Sequence, residues 1–585
     1  MNCLGKAFLL ILFGLAPAAL AGEDDAGLER YFRGYLEEHF QQQPLDATRL
    51  GDHRFDHLLD DLSKKAMERN LQFTRTTLKD LSKKIDYKRL SRNSQIDFEI
   101  FQHELETSIW IEENTHPFEN NPRIYNEYIS DSVFLLLTQS RLPKETNVAN
   151  CISRVDQIPK VVAAARENLK NPPRPVLDTA IRQNKGSIAF YEQDIFELTG
   201  DTKQMDALKA ACARVVPVLK EYQTFLENEL LPKANGEWRL GKRKFYKKLE
   251  MVLDANRNAD QVLADAEAEF AQVRTEMYVV ARQLWSHYFP NKPLPPEDSA
   301  GKRDIIQKVV SAVNQEHGKP EQLLQDARAT VDRIKKFISD KDILRLPHPD
   351  HCQIIEMPKF QRGNSVAYLN SAPPLDPQAA SLYAISPPSE DWDPKRVKSL
   401  LEEYNAHMLQ ILTIHEAYPG HYVQLEYANR TKSLIRRVLG SGVFAEGWAV
   451  YTEKTMLDQG YGEGDLRLRL MQLKFYLRAV GNAIFDHKLH CTQMNDDEAM
   501  NFLVSEAFQS EEEARQKIVR AKQTSVQLST YFVGRMAFYR LRQQVEREMS
   551  DTFDLGRFHE AVLDHGSIPV KYLPELVRTR LKQPR

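Results

Sequence analysis

The chain has 585 residues, with 79 Lys+Arg against 82 Asp+Glu, a formal net charge of -3 and 42% hydrophobic residues. That apolar content excludes a wholly disordered chain, and the even charge balance excludes the strong basic excess of a dedicated nucleic-acid binder. The length exceeds one average domain but accommodates a single large helical enzyme, residues 22–585 forming one integrated unit.

Taken from the start, Met1 to Asp25 holds one cation, Lys6, an apolar run from Ala7 to Leu15, and small residues ending at Ala19-Leu20-Ala21. This pattern predicts a secretory signal peptide cut after Ala21. The run is too short for a membrane span of roughly 20 residues, and Cys3 precedes it, so no lipobox is present. Nothing later is apolar enough to span, so the mature chain is expected to be periplasmic or secreted, with no membrane association. Cys151, Cys212, Cys352 and Cys491 remain, without CxxC spacing; one or two bridges are allowed, but a cysteine zinc site is not indicated.

From residue 22 to 343 the pattern is helical. Leu28 to Phe40, Ser94 to Glu112, Ile158 to Leu169, Met205 to Leu231, Ala259 to Tyr288 and Pro320 to Ile338 repeat apolar residues every three or four positions. Turn signals fall at Asn171-Pro172-Pro173, Asn235-Gly236 and Pro290 to Pro296. Residues 344–395 are proline-rich and predict a loop insert with short strands at Cys352 to Ile355 and Ser365 to Leu369. The helical pattern returns over 396–585. No internal repeat is visible, which excludes a solenoid.

The chemistry concentrates in Thr413-Ile414-His415-Glu416-Ala417-Tyr418-Pro419-Gly420-His421-Tyr422. It opens like the His-Glu-x-x-His helix of zinc peptidases, in which two imidazoles one turn apart bind zinc and the Glu activates water. Here the fifth position is Pro419, so the second imidazole must be His421. On a regular helix His421 falls roughly 120° around from His415 and about 9 Å along the axis, too far to share an ion. Pro419 and Gly420 mark a place where two residues can loop out and restore the pairing. The alternative is a helix that ends near Tyr418, with His421 opening another element.

A third ligand is sought downstream. Glu446, 25 residues after His421, stands in the otherwise apolar Phe444-Ala445-Glu446-Gly447-Trp448. Two imidazoles and one carboxylate leave zinc a position for water. Glu453 returns to nearly the same helix face and either orients a ligand histidine or is an exposed charge.

The motifs HEAYPGH, EGWAVYTE and QLSTYFVG together resemble the bacterial "domain of unknown function 885" family, related to the His-Glu-x-x-His zinc metallopeptidases. The likeness runs from Leu45-Asp46-Ala47-Thr48-Arg49-Leu50-Gly51 to Gly566-Ser567-Ile568-Pro569. It implies a mainly α, zincin-like or oligopeptidase-like fold with a central channel. It also implies one zinc ion per chain, with His415, His421 and Glu446 as ligands and Glu416 as general base. Asp486, His490, Arg520, Gln527, Tyr531 and Gly534 match further positions, whereas Ala521 and Ser525-Val526 depart from the pattern.

A carbonyl attacked by water gathers negative charge that a phenol or imidazole can stabilise, which makes Tyr531 and His490 catalytic candidates. Tyr531 is otherwise a core residue. Arg520 suits a substrate carboxylate or is a solvated charge, and Gln527 joins it as a substrate-binding candidate. Tyr368 begins a stretch that is either an ordinary loop or an extended edge for pairing with a peptide. His348-Pro349-Asp350-His351-Cys352 reads as a loop with poor chelate geometry. The expectation is an exported zinc metallopeptidase acting on short peptides. The alternatives are a metal-dependent amidohydrolase of a non-peptide substrate and a non-catalytic peptide binder. Oligomeric state is not legible.

Overall fold

The computed structural model describes residues 24–357, 367–388 and 392–583; the expected signal peptide lies outside them. The structure is mainly helical, as the periodicity predicts. The first helix, Asp25–Gln42, buries Leu28, Phe32, Leu36 and Phe40 at four-residue intervals, one apolar stripe facing the core. The longest, α1 (Ala259–Tyr288), starts at a capping box in which Asn258 and Gln261 satisfy each other's backbone amides. It buries Val262, Ala266, Phe270, Val273, Met277 and Leu284 at helical spacing. Two turn signals far apart in sequence meet in space. Asn171 Oδ1 accepts from the Asn235 amide at 3.0 Å, and a Cβ on Gly236 would lie 2.1 Å from the Asn171 carbonyl oxygen, so only glycine fits there.

The proline-rich insert carries β1 (Cys352–Glu356), β2 (Ala367–Asn370) and β3 (Ser381–Ile385). The sheet order is β1-β3-β2, with β3 parallel to β1 and antiparallel to β2. The sequence pattern anticipates β1 and β2 but not β3, whose side chains are nearly all buried and so do not alternate.

The helices of the C-terminal half include α2 (Ala406–Glu416), α3 (His421–Arg430), α4 (Gly442–Asp458), α5 (Leu466–Cys491), α6 (Glu511–Gln523) and α7 (Thr530–Met549). One continuous core joins the first helix, α1, α2, α3, α4, α5, α7 and the C-terminal Leu581, residues between Leu62 and Leu230 close a second core of their own, and α6 packs in a third with Phe485 and Leu489 of α5. α4 and α7 cross with almost no side chain between them: a Cβ on Gly447 would lie 2.3 Å from the Gly534 backbone, and one on Gly534 would lie 2.0 Å from the Val443 carbonyl. This crossing brings the start of α7 beside Glu446. All four described cysteines are free, so the bridges that the spacing allows do not form among them. Among the described residues, no helix is long and apolar enough to cross a membrane.

Candidate metal centre

α2 begins at Asn405, whose side chain accepts from the His407 and Met408 amides, and it ends at Glu416. The chain then turns through Ala417 and a cis Tyr418–Pro419 peptide before α3 begins at His421. The Gly420 amide donates to the Ile414 carbonyl at 3.0 Å and the Val423 amide to the Ala417 carbonyl at 3.4 Å. Both bonds span six residues where a helix spans four, so two residues are looped out. α2 and α3 are therefore separate elements, yet the His415 and His421 rings meet with centroids 4.8 Å apart. The indole of Trp448 on α4 donates to the Pro419 carbonyl at 2.8 Å, tying the loop to the helix that carries Glu446.

Gly420 cannot be replaced without moving backbone. A Cβ there would lie 1.9 Å from the His415 carbonyl oxygen and 2.3 Å from that of Ile414. Gly420→Ala is expected to cost about 1–3 kcal/mol, because no side chain can give way. Thermal or denaturant unfolding of the metal-free variant checks this, and a stability equal to wild type contradicts it.

Glu446 Oε2 lies 3.4 Å from His421 Nε2 and 3.8 Å from His415 Nε2, and one ligand atom from each of the three residues falls within 4.8 Å of the others. Ligands of a tetrahedral ion with bonds of about 2.0–2.1 Å stand about 3.3 Å apart, so the set fits a zinc-sized cation with little movement. Burial disfavours charge on His415, but hydrogen bonds to Glu446 and Glu453 push its pKa up to about 10. Burial also raises Glu446, but its bonds to both histidines outweigh that and hold it well below the usual carboxylate range. The cluster thus concentrates negative charge that demands a cation, protons or a metal, among its imidazoles.

Glu453 is fully buried, and its Oε1 lies 2.8 Å from His415 Nδ1, which leaves Nε2 facing Glu446. Burial raises the Glu453 pKa against the pull of His415. The ring of Phe475 on α5 abuts His415 edge-on at 5.6 Å. Because Glu453 fixes the tautomer and orientation of the imidazole, Glu453→Ala is expected to weaken metal affinity about 10–100-fold in a competition titration, and an unchanged affinity would remove this role.

Glu416 follows His415 directly, is half-buried, and forms no hydrogen bond or ion pair with the described residues. Its charge is felt by His415 and Tyr383. Tyr531, at the start of α7, has its pKa raised by burial and by the charge of Glu446. Its hydroxyl is 3.4 Å from Gln527 Nε2 and 3.5 Å from the Arg520 guanidinium, which donates to Gln527 Oε1 at 2.8 Å. Three residues singled out from the sequence therefore form one group beside the centre. Tyr368 lies on the edge strand β2, which packs against α2.

His490 stands elsewhere. Its Nδ1 accepts from the Leu240 amide at 3.3 Å, and its Nε2 donates to the Ala521 and Thr524 carbonyls at 3.0 and 2.9 Å. It stacks on Phe245 and meets the edge of Trp238, so both nitrogens serve the fold. Burial lowers its pKa to about 4. The unfolded chain takes up this proton near pH 6.5 and the folded chain does not, so stability falls as pH drops from 6.5 towards 4, by about 3 kcal/mol for this group alone. His490→Gln is expected to flatten that part of the stability–pH curve, read by denaturant melts; an identical acid dependence would contradict it.

Sequence reading missed Asp350. Its carboxylate accepts from Tyr418 Oη at 2.8 Å, Tyr422 Oη at 2.7 Å and Lys335 Nζ at 2.6 Å, bracing the loop on both sides of His421. The partners lie up to 72 residues away, so no local pattern links them.

A family model described as "Bacterial protein of unknown function (DUF885)" matches residues 44–577. No curated protein matches the sequence. Among solved structures, a protein designated a lipoprotein of unknown function from Shewanella oneidensis superposes with a TM-score of 0.79 at 27% identity, over 94% of this chain and 99% of that one. A protein designated a lipoprotein from Colwellia psychrerythraea gives a TM-score of 0.78 at 18% identity, over 96% of this chain and 100% of that one, a likeness of fold alone.

Proposed function

The chain belongs to the DUF885 family of bacterial proteins of unknown function, and from that premise we propose that it is an exported zinc-dependent metallopeptidase acting on short peptides. The observation that carries the reading is the convergence of His415, His421 and Glu446 beside Glu416, whose carboxylate makes no hydrogen bond or ion pair with the described residues. His415, His421 and Glu446 would hold a divalent ion, which when bound would supply a Lewis acid to polarise a carbonyl and acidify water. Glu416 accepts the proton of the attacking water, whose oxygen bonds to the carbonyl carbon. The C–N bond breaks, and Glu416 returns the proton to the leaving amine. Tyr531 donates to the carbonyl oxygen as it gains charge. Glu453 holds the His415 ring throughout.

Side-chain exposures of 7% for His415, 14% for His421 and 22% for Glu446 favour an extended chain over a folded protein surface as substrate. In this reading the edge of β2, at Tyr368, offers backbone groups to such a chain. Export rests on the N-terminal pattern and on the designation of the Shewanella neighbour.

The test is elemental analysis of untagged protein followed by hydrolysis of a mixed peptide pool, before and after chelation and zinc reloading. About one zinc per chain and peptide cleavage that chelation abolishes and zinc restores support the proposal. Zinc without cleavage of any peptide points to a non-peptide amide substrate or a binding protein, and failure to take up zinc sinks the hydrolase reading.

A further inference from the structure

Behind Tyr531 lies a group of charges that the chemistry above does not use. Phe475, which abuts His415, is followed one turn along α5 by Arg478, whose guanidinium sits over its ring at 5.1 Å and pairs with Glu513 of α6 at 3.0 Å. Glu403 pairs with Lys474 of α5 at 3.0 Å. One turn beyond Glu513 comes Lys517, only 5% exposed, and its ammonium forms no hydrogen bond or ion pair with the described residues. Arg520, on the same face of α6, has only the neutral Gln527 and Tyr531 as partners. Four cations thus face two carboxylates: Glu403 holds Lys474, and Glu513 stands at ion-pair distance from Arg478 although neither of its oxygens makes a hydrogen bond. Lys517 and Arg520 are the two left over.

Burial and Arg478 push the Lys517 pKa well below the ordinary lysine value against the attraction of Glu513 and Glu403, so a further anion beside it would stabilise the ammonium form. The surplus lies next to Tyr531, which itself feels Glu446. Resting on the peptidase reading, we propose that Lys517 and Arg520 receive the free α-carboxylate of the substrate, so that the enzyme cleaves near the C-terminus of short peptides. The ammonium supplies a point charge and the guanidinium a planar fork for two oxygens.

Zinc-loaded Glu416→Gln protein is titrated with short N-blocked peptides made as free acids and as C-terminal amides, alone and combined with Lys517→Met. The acids are expected to bind at least about 30-fold more tightly than the amides, and Lys517→Met to erase the difference. Lys517→Met is expected to melt no lower than its parent, since it removes an unpaired charge. Should it fail to fold, the exposed Arg520→Gln carries the same comparison. Equal binding of acids and amides, a preference indifferent to both variants, or no binding of either form overturns the subsite. Wild-type turnover separates the two readings: cleavage without acid preference sinks only the subsite, and acid-selective, Lys517-dependent binding without cleavage sinks only the peptidase.

Discussion

Glu416→Gln is expected to retain zinc at wild-type affinity and to lose peptide hydrolysis by about 10²–10⁴-fold, the usual contribution of a positioned general base. The substitution is nearly isosteric, and Glu416 forms no hydrogen bond or ion pair with the described residues, so no structural bond is broken. His415, His421 and Glu446 stay as they are. The amide cannot accept the proton of the attacking water, and the loss should fall on kcat more than on KM. Steady-state kinetics with parallel zinc analysis separates the outcomes. Full activity in the variant removes Glu416 from the chemistry, and loss of zinc together with activity makes it a structural residue.

His421→Ala is expected to weaken zinc binding by more than the about 10–100-fold assigned to Glu453, because it removes one of three donors where Glu453 only orients one. Without the imidazole, Glu446 Oε2 keeps a single histidine partner, His415, at 3.8 Å. The loss should appear as zinc released on dialysis and as failure to compete with a chelator of known affinity. His490→Gln is the informative control. Both positions are histidines in the helical C-terminal half, but His490 spends its nitrogens on the backbone of Leu240, Ala521 and Thr524. It should keep its zinc and change its acid stability instead. Zinc lost equally from both variants, or from neither, would contradict the assignment of His421 as ligand.

Much of this protein was legible in its residues. The three-to-four spacing of Leu28, Phe32, Leu36 and Phe40, or of the buried positions of α1, specifies helices because a helix must turn one stripe inward whatever it packs against. The Pro-Gly insertion between His415 and His421 announced two extra residues, since neither a shared ion nor a regular helix tolerates six-residue spacing. Glu446 stood out as a lone carboxylate in an apolar run.

Tertiary structure decided the rest, for reasons that involve partners remote in sequence. β3 carries no alternation because both of its faces are covered. Whether Glu453 was an exposed charge or a buried support for His415 depended on where α2 and α4 meet, and it is fully buried. His490 matched a family position, yet the packing of Phe245 and Trp238 around it turned both nitrogens toward the backbone. Asp350 came from a segment that reads as a plain loop, and Lys517 from an ordinary charged helix. A residue's type and spacing establish what it can bond to, but only the packed chain determines which donors, acceptors and charges are left without a partner, and those are the groups available for chemistry.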